Sequence, residues 1–338
     1  MESIAAVRGC PSSIGRGERR DAGKEATALR IIVSGASGFV GRHLVPELAA
    51  HGHDVVPLVR SVMDGGTFIR APSDLSALEP TAFLSGEPFD AVIHLAALNP
   101  NRSDRTSSDE AALMAANRDG TAAVMRAAAQ ARIPRVVVLG TANAHAPQDW
   151  PISEASPIAP VSAYARSKAE GERMAIEIAR ETGVTLTILR PAPVYGAGGR
   201  GMVALLKRLA DSPLPVPLPK ELGQRSFVSI TSLVAAILAV LDRRAGLIET
   251  FLVADAQPVS PSDIVAGLRR GRGRAPMLVP VPDALTNALL KAFGKRSHFE
   301  TLRKPFVLDW SRLASHTTWQ PEADTIAAMQ REASRSAR

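Results

Sequence analysis

The strongest restriction on the fold comes from a glycine turn, Gly35-Ala-Ser37-Gly38-Phe39-Val40-Gly41. It stands directly after the β-branched run Leu29-Arg-Ile-Ile-Val-Ser34 and opens an amphipathic stretch from Phe39 to Ala50. Three glycines at this spacing occur by chance in roughly one chain of this size in ten, so the bare pattern carries little weight. Its position gives it force. Where a strand meets a helix, the first glycine permits a tight turn, the second lets backbone approach a pyrophosphate, and the third lets helix pack on strand. The helix N-terminus then offers unpaired N–H groups and the positive end of its dipole to an anion. His51-Gly52 closes the helix and Asp54 to Val59 reads as a second strand, completing a βαβ unit.

The alternation continues along the chain. Ala91 to Leu95, Arg135 to Leu139 and Val184 to Leu189 read as strands, with helices from about Asp109 to Arg132 and from Ala163 to Thr182. This order predicts an α/β fold, a Rossmann-like doubly wound parallel sheet with a smaller C-terminal substrate-binding lobe. After Arg190-Pro191 come a glycine-rich loop (Gly196 to Gly201), a helix near Met202 to Ala210, and the extended Pro213-Leu-Pro-Val-Pro-Leu-Pro219. Proline at alternate positions is barred from a central strand, so this last segment reads as irregular. A helix from Ser232 to Leu241 and a strand from Phe251 to Ala254 return to the sheet. The expected division is an unstructured extension at 1–28, a dinucleotide-binding domain at 29–190 rejoined by 227–255, a substrate lobe at 191–226 and 256–330, and a tail at 331–338.

Composition narrows the functional classes. With 338 residues, 46% hydrophobic and 22% charged, the chain is neither a fibre nor a coiled coil nor disordered throughout. The net charge of +7 is spread along the sequence, which suits anionic small molecules and gives no block for nucleic acid. The single cysteine, Cys10, makes neither an intrachain disulfide nor a cysteine-rich metal site, so no metal is expected and a reducing cytoplasm is the expected compartment. The longest apolar run outside the core strands, Leu233 to Leu241, is about half of the roughly 20 residues needed for a membrane span. Residues 1–28 lack the apolar segment of a signal peptide.

A second motif supplies chemistry. Tyr164-Ala-Arg-Ser-Lys168 places a phenol and an ammonium on one helix face at i, i+4. An adjacent cation stabilises a phenolate, bringing a tyrosine into range for proton exchange with a substrate oxygen. Thr141, just past the strand Val136 to Leu139, adds a hydroxyl to hold that oxygen. Arg60 stands nineteen residues after Gly41, where an NAD-preferring site places an acid. A guanidinium there favours a 2′-phosphate and hence NADP(H), although Asp64 is still able to reach a ribose, leaving NAD(H) open.

Taken in order, these segments resemble the extended short-chain dehydrogenases that act on sugar nucleotides. The resemblance covers about residues 29–325 and includes His94-Leu95-Ala96-Ala97, Asn117-Arg-Asp-Gly-Thr121, Arg190-Pro191-Ala-Pro-Val194-Tyr-Gly196 and Gln224-Arg-Ser-Phe-Val-Ser229. Within that family the chain is most similar to a UDP-glucose 4-epimerase-like subgroup that includes UDP-4-keto-sugar 4-reductases of surface polysaccharide synthesis. Phe251 to Ser260, Val279 to Pro282 and Phe293-Gly-Lys-Arg296 also match that subgroup.

The resemblance implies catalytic roles for Thr141, Tyr164 and Lys168, with Lys168 also on the nicotinamide ribose. It implies that Asp74 and Leu75 flank the adenine, that Leu95, Ala96 and Ala97 line the dinucleotide, and that backbone from Pro191 to Val194 holds the carboxamide. Asn143 would face the substrate and Arg225 would grip the sugar-nucleotide diphosphate, with Arg296 a further candidate for the second phosphate and Pro213 to Pro219 beside the nucleoside. Asn117 would brace backbone. The family often dimerises through its two long helices, here 109–132 and 163–182, so a homodimer is expected. Both of the chain's tyrosines, Tyr164 and Tyr195, fall in segments of this pattern and are expected near the chemistry.

Departures refine the expectation. Ala142-Asn143 replaces the Asp-Glu pair that sugar-nucleotide 4,6-dehydratases use for elimination, which argues against a dehydratase. His145 replaces an aromatic residue or Asn, either touching substrate or lying in the loop as ordinary structure. Two chemistries at C4 of a UDP-sugar remain, a 4-ketoreductase favoured by Arg60 and a 4-epimerase. A non-catalytic dinucleotide-binding protein would have no need of Tyr164 and Lys168.

Overall fold

The computed structural model describes residues 28–61, 67–84, 86–99, 109–199, 201–219, 222–243, 245–281 and 303–335. Asp64 and the Phe293 to Arg296 segment lie outside them.

Seven parallel strands form the central sheet: β1 (Arg30–Ser34), β2 (Asp54–Val59), β3 (Ile69–Arg70), β4 (Ala91–His94), β5 (Arg135–Leu139), β6 (Thr185–Pro191) and β10 (Ile248–Val253), in the order β10-β6-β5-β4-β1-β2-β3. Ile31 of β1 lies opposite Val55 on one side and Ala91 on the other. Because both faces are covered, β1 and β4 carry continuous apolar runs rather than alternation. The period of two instead divides the core. Ile31, Val33, Ile93, Val137 and Leu189 point to the face covered by α1 (Gly41–Ala50) and α6 (Ile230–Leu241). Their neighbours Ile32, Val92, Val136, Val138 and Ile188 point to the face covered by α3 (Gly120–Gln130) and α4 (Ala163–Thr182). Truncating one of these fully enclosed side chains, such as Ile32→Ala, costs about 2–5 kcal/mol.

The chain leaves β1 in one direction to β2 and β3 and in the other to β4, β5 and β6. This switch point opens a crevice at the carboxyl ends of β1 and β4, where open α/β sheets hold their ligands.

The helix expected from about 109 to 132 is interrupted. α2 (Glu110–Met114), capped by Asp109 accepting from the Ala111 and Ala112 N–H groups, passes into a π-turn at Ala115–Asp119 before α3 begins. Such turns insert one residue per turn and re-aim side chains. Here the re-aimed residue is Asn117. At the far end of α4, Gly183 (φ 75°) supplies the left-handed residue that terminates the helix.

A third cluster forms the smaller lobe. Leu206 and Ala210 of α5 (Met202–Asp211), Ile264, Val265 and Leu268 of α7 (Pro261–Arg270), and Ala328 and Met329 of α9 (Thr325–Arg335) close around Phe227 and Tyr195. The proline-rich segment expected to be irregular is ordered in part, as β8 (Val216–Pro219), paired in parallel with β11 (Leu278–Val281) in a separate two-stranded sheet. A strand with one neighbour tolerates the missing N–H groups that a central strand does not. Two further short strands, β7 (Val194–Tyr195) and β9 (Val228–Ser229), pair in parallel, and α8 (Ser311–His316) packs on β10.

Candidate active site

The glycine turn is built as a cradle. Gly35 has φ 73°, and a Cβ there would lie 2.7 Å from the Ala96 nitrogen; a Cβ on Gly41 would overlap the Gly35 and Ala36 carbonyl oxygens. A Cβ on Gly38 meets only Gly35 O, at 3.0 Å, so its outer side is open. Ser37 is exposed, and Phe39 and Val40 are half-buried at the rim. α1 then begins with no side-chain cap, since Val40 has no acceptor to offer, and with no acid in its first turn. An uncapped N-terminus behind a glycine turn fits a pyrophosphate, which accepts from the free N–H groups and complements the helix dipole.

Leu95, Ala96 and Ala97 follow β4 and are half-buried at the mouth of the crevice. A directed chain of hydrogen bonds fixes this segment. Ala96 N–H donates to Ser34 Oγ (3.4 Å), whose hydroxyl reaches His94 Nδ1 (2.7 Å), and His94 Nε2 meets Thr121 Oγ1 (3.1 Å), which donates to the Asn117 carbonyl (2.6 Å). Thr121 spends its proton on Asn117, so His94 must carry its hydrogen on Nε2 and accept at Nδ1. Burial, then the nearby Lys168, pushes His94 down to about 3, so it stays neutral in this role. Asn117, fully buried, accepts from Leu98 N–H (2.8 Å) and donates to Leu98 O (3.0 Å) and Ser167 Oγ (2.9 Å). It ties the loop after β4 to the first turn of α4.

Asp74 is exposed and caps a short 3-10 turn through Ser76 N–H, while Leu75 packs where Gly120 leaves room. Arg60 is exposed immediately after β2 and makes no ion pair among the described residues. Pro191 ends β6 and Val194 opens β7.

Thr141 follows β5, nearly buried, with its Oγ1 accepting from Asn143 N–H at 3.3 Å, which leaves its own proton to donate. Asn143 is half-buried in the same turn. α4 starts at Ala163 under a Ser162 cap, so Tyr164 lies in its first turn and Lys168 one turn further on the inward face. The surroundings differ from the simple pairing expected. Burial, then Glu172, pushes Tyr164 up to about 12, and burial pushes Lys168 down to about 8 against the opposing pull of Glu172. The phenol is therefore protonated in the ligand-free site, and additional positive charge is needed before it becomes a base.

Glu172 escaped the sequence reading. It continues the i, i+4 spacing from Lys168 by one more turn and is almost wholly buried. Its Oε2 accepts from both Nε and Nη2 of Arg190 at 2.8 Å, and Arg190 Nη1 in turn meets His145 Nε2 at 3.2 Å. His145 Nδ1 donates to the Pro157 carbonyl (3.1 Å). Of the two roles open to His145, the structural one is observed, because its ring is turned inward onto Arg190.

One further residue differs from expectation. Tyr195 is not at the crevice: it is buried in the smaller lobe, its hydroxyl donating to Asp255 Oδ2 at 2.6 Å. Arg225 is buried, its Nη1 donating to Lys304 O at 3.4 Å and its guanidinium 5.1 Å from the Phe306 ring centre. Burial lowers its pKa to about 10, and a buried guanidinium of this kind attracts an anion. Among the described residues no group of three His, Cys, Asp or Glu side chains is placed to hold a metal, and no helix is long and apolar enough to cross a membrane.

A glycine turn at the switch point of a seven-stranded parallel sheet defines a Rossmann-type protein, with Thr141 after β5 and Tyr164 and Lys168 on α4. The chain belongs to the NAD dependent epimerase/dehydratase family, whose model matches residues 31–254. It is 27% identical over 299 residues to a UDP-glucose 4-epimerase of Vibrio cholerae, covering 86% of this chain and 90% of that one. It is 30% identical over 318 residues to a 3-diazoavenalumate denitrifying reductase of a Streptomyces species, covering 86% and 98%. Among solved structures, the UDP-glucose 4-epimerase of Thermus thermophilus in complex with NAD superposes with a TM-score of 0.71 at 23% identity, covering 91% and 99% of the two chains, a likeness of fold.

Proposed function

We propose that this protein is an NAD-dependent oxidoreductase of sugar nucleotides, and specifically a UDP-hexose 4-epimerase. The observation that carries the reading is the match to the Vibrio cholerae epimerase along 90% of that protein, with the Thr141, Tyr164 and Lys168 set inside it. The comparisons favour this over the 4-ketoreductase that Arg60 suggested, and NAD is the cofactor held by the Thermus enzyme of the same fold.

The residues have definite tasks in this reading. Gly35, Gly38 and Gly41 admit the pyrophosphate of NAD, and Leu95 to Ala97 line the dinucleotide. Thr141 donates its free proton to the C4 oxygen, and Tyr164 exchanges a proton with the same atom. Lys168, charged over most of the neutral range, holds the phenolate when it forms. NAD, when bound, supplies the hydride acceptor at C4 and a positive ring that adds to the charge beside Tyr164. Arg225 takes the diphosphate, and the Ala142-Asn143 pair leaves no acid and base for elimination, in keeping with an epimerase rather than a dehydratase. A homodimer through the helical segments 109–132 and 163–182 is part of the proposal; the exposed face of α4 carries the ion pairs of Arg173 with Glu170 and Glu177, so that side of the contact would be polar.

The test is interconversion of UDP-glucose and UDP-galactose by purified protein without added cofactor, with NAD⁺ released on denaturation. Consumption of NADPH with a UDP-4-keto-6-deoxy sugar, and no epimerisation, would overturn it in favour of the reductase. The likeness to the Streptomyces reductase is the observation on that side.

A further inference from the structure

We infer that Glu172 is a positioning residue for the reaction, the internal counter-ion one helical turn from Lys168 that keeps its ammonium charged inside the protein. The inference deepens the proposed function and rests on its assignment of Lys168.

The geometry separates the two carboxylate oxygens. Arg190 does not engage Glu172 as a fork: its Nε and Nη2 both converge on Oε2. Oε1 is buried and makes no hydrogen bond. A buried carboxylate oxygen left without a donor is costly, and such an atom calls for an account. The account lies in what surrounds it. Oε1 occupies the space against Gly140, where any Cβ would overlap it, so the residue preceding Thr141 is a glycine for the sake of this carboxylate. Glu172 thus sits against Gly140, the residue before Thr141, and one helical turn beyond Lys168 on the same buried face of α4.

Charge balance points the same way. The groups facing Glu172 and Lys168 are Tyr164 on α4 itself, Arg190 on β6, His145 in the turn after β5, and His94 on β4. His94 is held neutral by burial, and His145 must be unprotonated at Nε2 to accept from Arg190. That leaves two buried cations, Lys168 and Arg190, and one carboxylate. If Glu172 served Arg190 alone, a bidentate pair would satisfy both oxygens. Using Oε2 for Arg190 leaves the field of Oε1 to Lys168, the second cation that burial would otherwise discharge.

The experiment needs no substrate. In protein labelled at lysine side chains, the Lys168 signal is identified by its loss in Lys168→Met and titrated by NMR in wild type and in Glu172→Gln, which keeps an acceptor for Arg190. Lys168 is expected to titrate near pH 8 in wild type and about one pH unit lower in Glu172→Gln. The alkaline limb of the activity profile is expected to move with it. A Glu172 that only props the fold would lower stability and leave the Lys168 titration in place, and that result in a folded variant would overturn the inference. If Glu172→Gln does not fold, Glu172→Asp, which moves the carboxylate by one methylene, is expected to shift the Lys168 titration, and an unmoved titration in that folded variant overturns the inference. The epimerase assay on wild type is independent of this titration, so a failure of the functional reading and a failure of the counter-ion role give different results.

Discussion

The Tyr195 hydroxyl donates to the buried carboxylate of Asp255 across 2.6 Å, joining β7 to the strand-end segment that follows β10. Ser229 N–H adds a second contact to the same carboxylate at 3.2 Å. Burial outweighs both and raises Asp255 to about 7, well above the ordinary carboxylate value.

A pH dependence of stability follows. The native carboxyl keeps a proton that the unfolded chain releases near pH 4, so its contribution is complete below that point and is lost as pH rises through about 7. Thermal unfolding of wild type and Asp255→Asn across this range should show wild type losing on the order of 3 kcal/mol relative to the variant. Parallel curves for the two proteins would exclude the effect.

Gly35→Ala strikes the cradle twice, through its φ of 73° and through the Ala96 nitrogen 2.7 Å from the new Cβ. Strain of this kind costs about 1–3 kcal/mol. Calorimetry should find dinucleotide affinity reduced more than tenfold, with the far-ultraviolet spectrum preserved.

Tyr164→Phe removes one hydroxyl from a half-buried ring and leaves the cradle untouched. Turnover is expected to fall by about 10²–10⁴, with dinucleotide binding within a factor of a few of wild type. Retained turnover would reject Tyr164 as the proton-exchanging group.

How much of this was legible in the sequence depends on the range of the signal. The parallel strands, the glycine turn and the α4 boundaries follow from local pattern, and β2, β5 and α4 occur at the residues expected. Asn117 at a π-turn, and β8 as a strand in a small separate sheet, arise from long-range contacts that no local period reports. Tyr195 shows the limit of reading rarity as function. Its segment matches a nucleotide-binding pattern, yet packing against Phe227 and Val259 and bonding to Asp255 make it structural. Glu172 was within reach as the next i, i+4 step after Lys168, but its meaning depends on Arg190, eighteen residues away on the neighbouring strand.

Arg60 gives a test of cofactor choice. It is exposed beyond β2, and Arg70 pairs in register with Val59 just before it, so two guanidinium groups stand at the edge where an adenosine ribose would lie. Arg60→Ala should weaken NADP⁺ by roughly tenfold and NAD⁺ by less than twofold, since only the former offers a 2′-phosphate. Equal losses for both would remove Arg60 from the ribose site.

Asn117 is the residue on which the loop after β4 and the first turn of α4 both depend. Its carboxamide satisfies the Leu98 N–H, the Leu98 carbonyl and the Ser167 hydroxyl, and Ser167 Oγ in turn donates to the Tyr164 carbonyl at 2.9 Å. Asn117→Ala strands these groups in a dry site, where each unmade bond costs about 1–3 kcal/mol and partial relaxation brings the total to about 2–4 kcal/mol. Urea unfolding should record that loss, and dinucleotide affinity should fall with it because Leu98 adjoins Ala96 and Ala97. Asn143→Ala, half-buried and with no side-chain hydrogen bond among the described residues, is the control and should stay within about 0.5 kcal/mol of wild type. A cost for Asn117→Ala no larger than the control's would mean that the π-turn holds its shape without the carboxamide, and that the brace between the two segments lies elsewhere.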